Sequence, residues 1–168
     1  MPIRPRTAVF ASLAVLGGLA AAATAARPPG RWFSWEELQS TAQRFPNVAG
    51  GPARVALRNL TEHSLDPFRE YLGRSVGVNS AFRNKVVNRL VGGAKDSQHT
   101  RGEAADIEVP GMSSAELASA YLASGLPFDQ IVWYEARPHL HVSYRAGRLR
   151  GEVRFQPVTG RTQLRRPA

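Results

Sequence analysis

The chain has no cysteine in its 168 residues. Disulfides, thiolate metal sites, a cysteine nucleophile and lipid attachment through an N-terminal cysteine are therefore all excluded. Any metal here must be held by imidazole and carboxylate. Histidine is scarce as well, with four in the chain, at His63, His99, His139 and His141. Acidic residues are the third shortage: 13 Asp and Glu face 22 Lys and Arg, a formal charge of +9. That balance suits an anionic partner such as a cell wall or outer-leaflet phosphate. Nucleic acid is not expected, because the interleaved aromatic and basic pattern of single-strand binders is missing. Internal repeats are also missing. Hydrophobic residues at 43% and charged residues at 21% nonetheless make a globular composition, with length enough for one domain and a proper core.

The one long apolar run is at the N-terminus. Arg4 and Arg6 precede the apolar stretch from Ala8 to Ala22, and "AAATAA" then offers small residues in an A-x-A pattern, the order of an export signal. The run also reaches the lower limit of a membrane span, so residues 1–26 read as a signal peptide or an N-terminal anchor. Both readings put the domain in the periplasm or outside the cell. Loss of Arg4 and Arg6 with the signal would leave a charge of about +7. Residues 27–32 read as a linker, residues 33–158 as the functional domain and residues 159–168 as a loose basic tail.

Along the domain, Ser34 and Glu37 form a capping-box pattern opening a helix expected to end near Phe45–Pro46. Val55, Leu57, Leu60, Leu65, Phe68 and Leu72 recur at helical spacing and stop at Gly73, with Pro67 expected to kink or split the helix. His63 falls among its polar positions and reads as a solvated helix residue. "SVGVNSAFR" is a short strand entering a turn, and "NKVVNRLVGG" a brief helix stopped by Gly92 and Gly93. Ser113, Glu116 and Gly125 frame another helix. "FDQIVWYE" and "HLHVSYR" read as a hairpin, and "EVRFQPV" as a further strand. This mixture predicts an α+β domain.

Two segments carry the chemistry. In "SQHTRGEAADIE" the loop with His99 turns at Gly102 and enters a strand at Ala104. Alternation there puts Ala104, Asp106 and Glu108 on one face, and a carboxylate among apolar neighbours needs a partner. In "PHLHVSY", Leu140 and Val142 take the core face, leaving His139, His141 and Ser143 opposite. The four residues could supply a His-Asp-His metal site with an open fourth position, the catalytic zinc pattern. A surface histidine pair beside a structural His–Asp contact would use the same residues.

"SQHTRGEAAD" matches the S-x-H-x-x-G-x-A-x-D motif and so resembles the M15 zinc peptidases, in their peptidoglycan-cutting branch, the D-alanyl-D-alanine carboxypeptidase and dipeptidase group. The similarity runs in order from about Phe33 to Tyr144, through "VNSAFRNKVVNRLVGGAKDSQH" and "GLPFDQIVWYE...HLHVSY". It implies a hedgehog/DD-peptidase-like fold: a small antiparallel sheet carrying one zinc ion, with helices packed behind. By position, His99, Asp106 and His141 resemble the zinc ligands and Arg83 the arginine that steadies the oxyanion. Ser97 and His139 resemble substrate-site residues. Three departures stand out. Ala81 and Phe82 replace the usual Gly and Tyr, His139 stands where Trp is common, and Pro138 occupies the position of an acidic general base. Glu135 is then the expected base, with His139 as an alternative proton-transfer group and Glu108 and Asp129 as lesser candidates. Asp129 suits a cap or ion pair at the strand start. The resemblance implies a monomeric hydrolase cutting amide bonds in peptidoglycan stems, as a carboxypeptidase or endopeptidase. Pro138 keeps open a non-catalytic wall-binding or zinc-stabilised module.

Overall fold

Ser34 caps the first helix, α1 (Trp35–Gln39), its hydroxyl accepting the Glu37 N–H at 3.1 Å. The helix ends at Gln39, well short of Phe45, because the Gln39 carbonyl accepts from the Asn47 side chain at 2.9 Å instead of continuing the helical ladder. The structure, a computed structural model, describes residues 27–43, 45–159, 161–165 and 167. The expected signal or anchor, residues 1–26, lies outside them.

The long helical stretch changes pitch just before Pro67, at Thr61–Leu65. α2 (Gly51–Leu60) passes into a π-helical turn, Thr61–Leu65, and then α3 (Asp66–Leu72), which Gly73 ends in a left-handed conformation. A proline removes one amide donor and crowds the preceding turn. The wider turn just before it accommodates both effects without breaking the path. Its Ser64 hydroxyl lies 2.7 Å from the Tyr121 hydroxyl, deep in the core.

β1 (Gly77–Ser80) leads to α4 (Lys85–Leu90), where Asn84 Oδ1 accepts the Val86 and Val87 N–H groups. A 3-10 turn, Gln98–Arg101, precedes β2 (Ala104–Glu108). α5 (Ser114–Ala123) begins with the complete Ser113–Glu116 capping box. β3 (Gln130–Tyr134), β4 (Leu140–Ser143), β5 (Glu152–Gln156) and β6 (Gln163–Leu164) follow.

The six strands form one sheet in the order β1-β2-β4-β3-β5-β6. It is a mixed sheet, not the antiparallel one expected, because β3 and β5 run parallel. The cause is topological. β4 has β2 on one edge and β3 on the other, so the chain leaving it must cross to an outer edge, and that of β3, one strand away, is the nearer. There it must run opposite to β4 and hence parallel to β3. The segment expected as a loose tail contributes β6, whose Leu164 faces Arg154.

One face of the sheet is apolar. Ala105, Ile107, Ile131, Leu140 and Val142 meet Leu57, Leu60, Leu65, Phe68, Leu117 and Tyr121 from the helices in one core. Each such large side chain contributes roughly 1.5–3 kcal/mol by leaving water. The register puts Ser80, Asp106, His141 and Val132 in a row on the other face. Among the described residues, no helix is long and apolar enough to cross a membrane.

Candidate metal centre

His99 sits on the 3-10 turn and is 4% exposed. Its Nδ1 lies 2.7 Å from the Ala81 carbonyl oxygen, an acceptor only, so Nδ1–H donates and Nε2 keeps its lone pair. The backbone of Arg83 donates to the His99 carbonyl at 3.1 Å, fixing the turn itself. Gly102 lets the chain leave this turn for β2. Its φ is +74°, and an added Cβ would run into the Ala53 carbonyl and the Leu57 side chain. Only glycine meets both conditions.

Asp106 and His141 are directly paired residues of β2 and β4. Asp106 Oδ1 lies 3.0 Å from His141 Nδ1 and 3.3 Å from His99 Nε2, and the two imidazole nitrogens are 3.2 Å apart. A tetrahedral ion with ligands at about 2.0–2.1 Å needs donor atoms about 3.3 Å apart. The triangle has that size. Its chemistry agrees, since a carboxylate oxygen and an unprotonated imidazole nitrogen face each other with Arg83 alongside, and a cation between them would satisfy both. His99, Asp106 and His141 are thus a donor set that fits a zinc-type metal, with His99 already held in the required tautomer from behind.

The charges of the site reinforce this. Burial lowers the pKa of His99 and outweighs the carboxylate beside it, so the ring stays neutral near neutrality. Burial would raise Asp106, yet the two histidines hold it well below the usual carboxylate range. The Arg83 guanidinium reaches Asp106 Oδ2 at 2.5 Å and Ser80 Oγ at 2.7 Å, and comes within 3.4 Å of His99 Nε2.

Glu108 and His139 each lie one residue beyond the last β2–β4 pair, Ile107 with Leu140. Glu108 accepts from the Asn79 side chain at 3.0 Å. Burial lowers the pKa of His139, and the charges it senses include Asp106, His141 and Glu108. Its ring packs edge-on against Tyr134 at 4.8 Å between centroids. Burial and the nearby Asp106 push the Tyr134 hydroxyl up to about 12, so it remains a proton donor at neutral pH. The Ser114 hydroxyl ties both residues to α5, donating to the His139 carbonyl at 2.6 Å and accepting the Tyr134 N–H at 2.9 Å.

Glu135 is elsewhere. Its amide continues the β3–β5 pairing to the Gln156 carbonyl, and its carboxylate accepts the Val158 N–H at 2.9 Å. The expected hairpin exists, but Tyr134 holds the site-facing position of β3 and Glu135 takes the opposite parity. Asp129 is 2% exposed and grips Arg150 through two side-chain bonds of 2.9 and 2.6 Å, while Gln98 donates to it at 2.7 Å. It is an ion-pair anchor joining the His99 turn to the sheet. His63 is exposed and stacks on Tyr144, apart from the metal centre.

A cleft of about 420 Å³ opens beside His141, lined among others by Ser97, Val132, Tyr134, Arg145 and Arg148. It leaves room for a chain molecule alongside the donor triangle. Residues 32–143, about two-thirds of the chain, match the family model described as Peptidase M15. The protein belongs to the M15 peptidases. A comparison with characterised proteins finds no match. Strand alternation could have found two further residues of this M15 site, Ser80 beside Arg83 and Tyr134 beside Val132. The Ala81 carbonyl, a backbone group, leaves no mark in side-chain pattern.

Proposed function

We propose that this M15 peptidase is zinc-dependent, has the hedgehog/DD-peptidase architecture, and hydrolyses amide bonds in peptidoglycan peptide stems outside the cytoplasm. The observation that carries the reading is the triangle of His99 Nε2, Asp106 Oδ1 and His141 Nδ1, with edges of 3.0–3.3 Å. Bound there, zinc supplies a Lewis acid for the scissile carbonyl and lowers the pKa of water. Asp106 brings the negative charge that such an ion needs, and Arg83 helps keep that carboxylate ionised.

The other groups have work that their positions support. Arg83, on the same rim, hydrogen-bonds the negative oxygen that develops as the amide is attacked. Removal of one such donor typically costs about 10²–10³ in rate. His139 is the proton-transfer group: neutral by burial, it takes on its ring the proton that the attacking water gives up and returns it to the leaving amine. Glu108, facing His139, supports the imidazolium that forms. Tyr134 holds the His139 ring edge-on and offers its hydroxyl as a donor. Ser97 and Val132 border the substrate path. Glu135, engaged with Val158, is left a structural role.

The test is direct. Purified protein loaded with zinc is incubated with muropeptides of defined stem length, and the products are weighed by mass spectrometry. Loss of one terminal residue identifies a carboxypeptidase, and separation of cross-linked dimers an endopeptidase. A protein that binds zinc and wall material yet releases no product would instead be the non-catalytic module that Pro138, in the place of the family's acid, brings to mind.

A further inference from the structure

A second cleft, of about 520 Å³, lies behind the turn that carries His99. Its wall includes Lys85, Arg89, Lys95 and Arg101, against Asp96 as the one acidic residue. Arg101 is occupied, with its Nε on Glu103 at 2.7 Å and Nη1 on the Asp96 carbonyl at 3.0 Å. Lys85, Arg89 and Lys95 make no ion pair or side-chain hydrogen bond among the described residues. Three cations without an ion-pair partner around one concave surface, against a single carboxylate, give it a positive potential that favours an anion.

The wall also says what the anion is not. No aromatic ring lines this cleft, so it offers no platform for a base. The charge exceeds what a single carboxylate would neutralise, whereas a phosphate brings several acceptor oxygens at once, suited to lysine as a point charge and arginine as a fork. Asn88, 4% exposed, completes the lining. Its Nδ2 donates to the Ala94 carbonyl at 2.9 Å, while Oδ1 is without a partner among the described residues.

The two clefts adjoin. Asp96 and Arg101 line both, so basic side chains run from Lys85 and Lys95, by Arg101, to the rim of the cleft that His141 borders. We infer that this track binds a phosphodiester chain, which holds the enzyme on its polymer while the metal centre works on a neighbouring peptide. A track of this length fits a chain with repeated charges better than a free phosphate ion. The tethering role rests on the proposed peptidase function, whereas the binding does not, and the affinity measurement reads the binding alone.

The experiment measures affinity of the zinc-loaded protein for poly(glycerol phosphate) by calorimetry, with inorganic phosphate, polyglutamate and single-stranded DNA as comparisons. The chain is expected to bind more tightly than all three, with affinity falling as salt rises. The K85Q/R89Q/K95Q protein should lose about tenfold or more, with its zinc content and muropeptide turnover unchanged. If that variant fails to fold, Lys95→Gln and Arg89→Gln tested singly should each weaken binding. Unchanged affinity in the folded variants would overturn the proposal, as would equal binding of polyglutamate or tighter binding of DNA. Turnover lost together with zinc in a variant would point to damage at the metal centre, which calorimetry on the same sample separates from loss of the polymer site.

Discussion

Asp106 and His141 face one another across the β2–β4 ladder with 3.0 Å between Oδ1 and Nδ1. Strand pairing alone therefore sets two of the three donor atoms, and His99 arrives from the turn before β2 to complete the triangle. The sheet makes the site rigid where a metal needs rigidity.

Zinc binding should follow this geometry. About one zinc per chain is expected by elemental analysis of the purified protein. His99→Ala, Asp106→Ala and His141→Ala should each weaken binding by more than the ~10–100-fold that an outer hydrogen-bond partner is worth. His63→Ala, on the far ring stack with Tyr144, should leave zinc content as it was. Full zinc occupancy in the Asp106→Ala protein would remove the basis of the assignment.

The proton-transfer role separates two residues. His139→Phe keeps the ring contact with Tyr134 while removing both nitrogens, and should lower kcat by roughly 10²–10⁴, the usual range for general acid–base catalysis. Glu135→Gln should leave kcat near wild type, since the amide can still accept from the Val158 N–H. Zinc content should be retained in both. If Glu135→Gln is inactive and His139→Phe is not, the loop after β3 rearranges on substrate binding and Glu135 is the base.

The metal-free protein should lose stability on the acid side of neutrality. Burial makes the folded pKa of His99 lower than its unfolded value near 6.5, so the unfolded chain binds more protons as pH falls below about 6.5. Asp106 acts with the opposite timing. Its folded pKa lies well below 3.8, so its stabilising share persists above that range and is lost only at strongly acid pH. Thermal unfolding of the apo protein should then show a Tm that declines steadily from pH 7 to pH 5. A flat profile across that interval would mean that folding leaves the pKa of His99 unshifted, and a Tm that rises toward pH 5 that the folded ring is the more readily protonated one.

Much of this was legible in the sequence, for reasons that can be stated. Capping boxes and glycine stops located α1 and α5, and alternation in "AADIE" and "HLHVS" alone put Asp106 and His141 each on the polar face of its strand. The M15 motif joined them to His99. Long-range topology was harder. Nothing local in "EVRFQ" says that it runs parallel to β3, because that follows from both edges of β4 being taken. The same limit applies to Glu135. A hairpin turn brings a residue near its partner strand, but only the position where pairing ends fixes its side, and the β3–β5 ladder continues past Tyr134. The early end of α1 depends on Asn47 reaching back to Gln39, a contact eight residues away with no periodic signature.

Gly102 offers the strictest test of how turn and site are linked. It follows His99 by three residues and has φ +74°, a region that costs a non-glycine residue about 1–3 kcal/mol. Space is lacking as well, because a Cβ would press on the Ala53 carbonyl in α2. Backbone at a helix is not easily displaced, so the strain should move the 98–101 turn instead. Gly102→Ala is therefore expected to lower stability by about 2 kcal/mol or more and also to weaken zinc binding, although residue 102 offers the metal no donor atom and meets His99 only through its backbone N–H on the His99 carbonyl. Gly111, with φ +80° and nothing within 4 Å of an added Cβ, is the control. Gly111→Ala bears the conformational strain alone and should leave zinc affinity unchanged. Chemical unfolding curves and zinc titrations on both proteins make the comparison. Equal zinc affinity in the two variants would show that the His99 turn is held by its own hydrogen bonds to Ala81 and Arg83, and not by the close approach of Gly102 to α2.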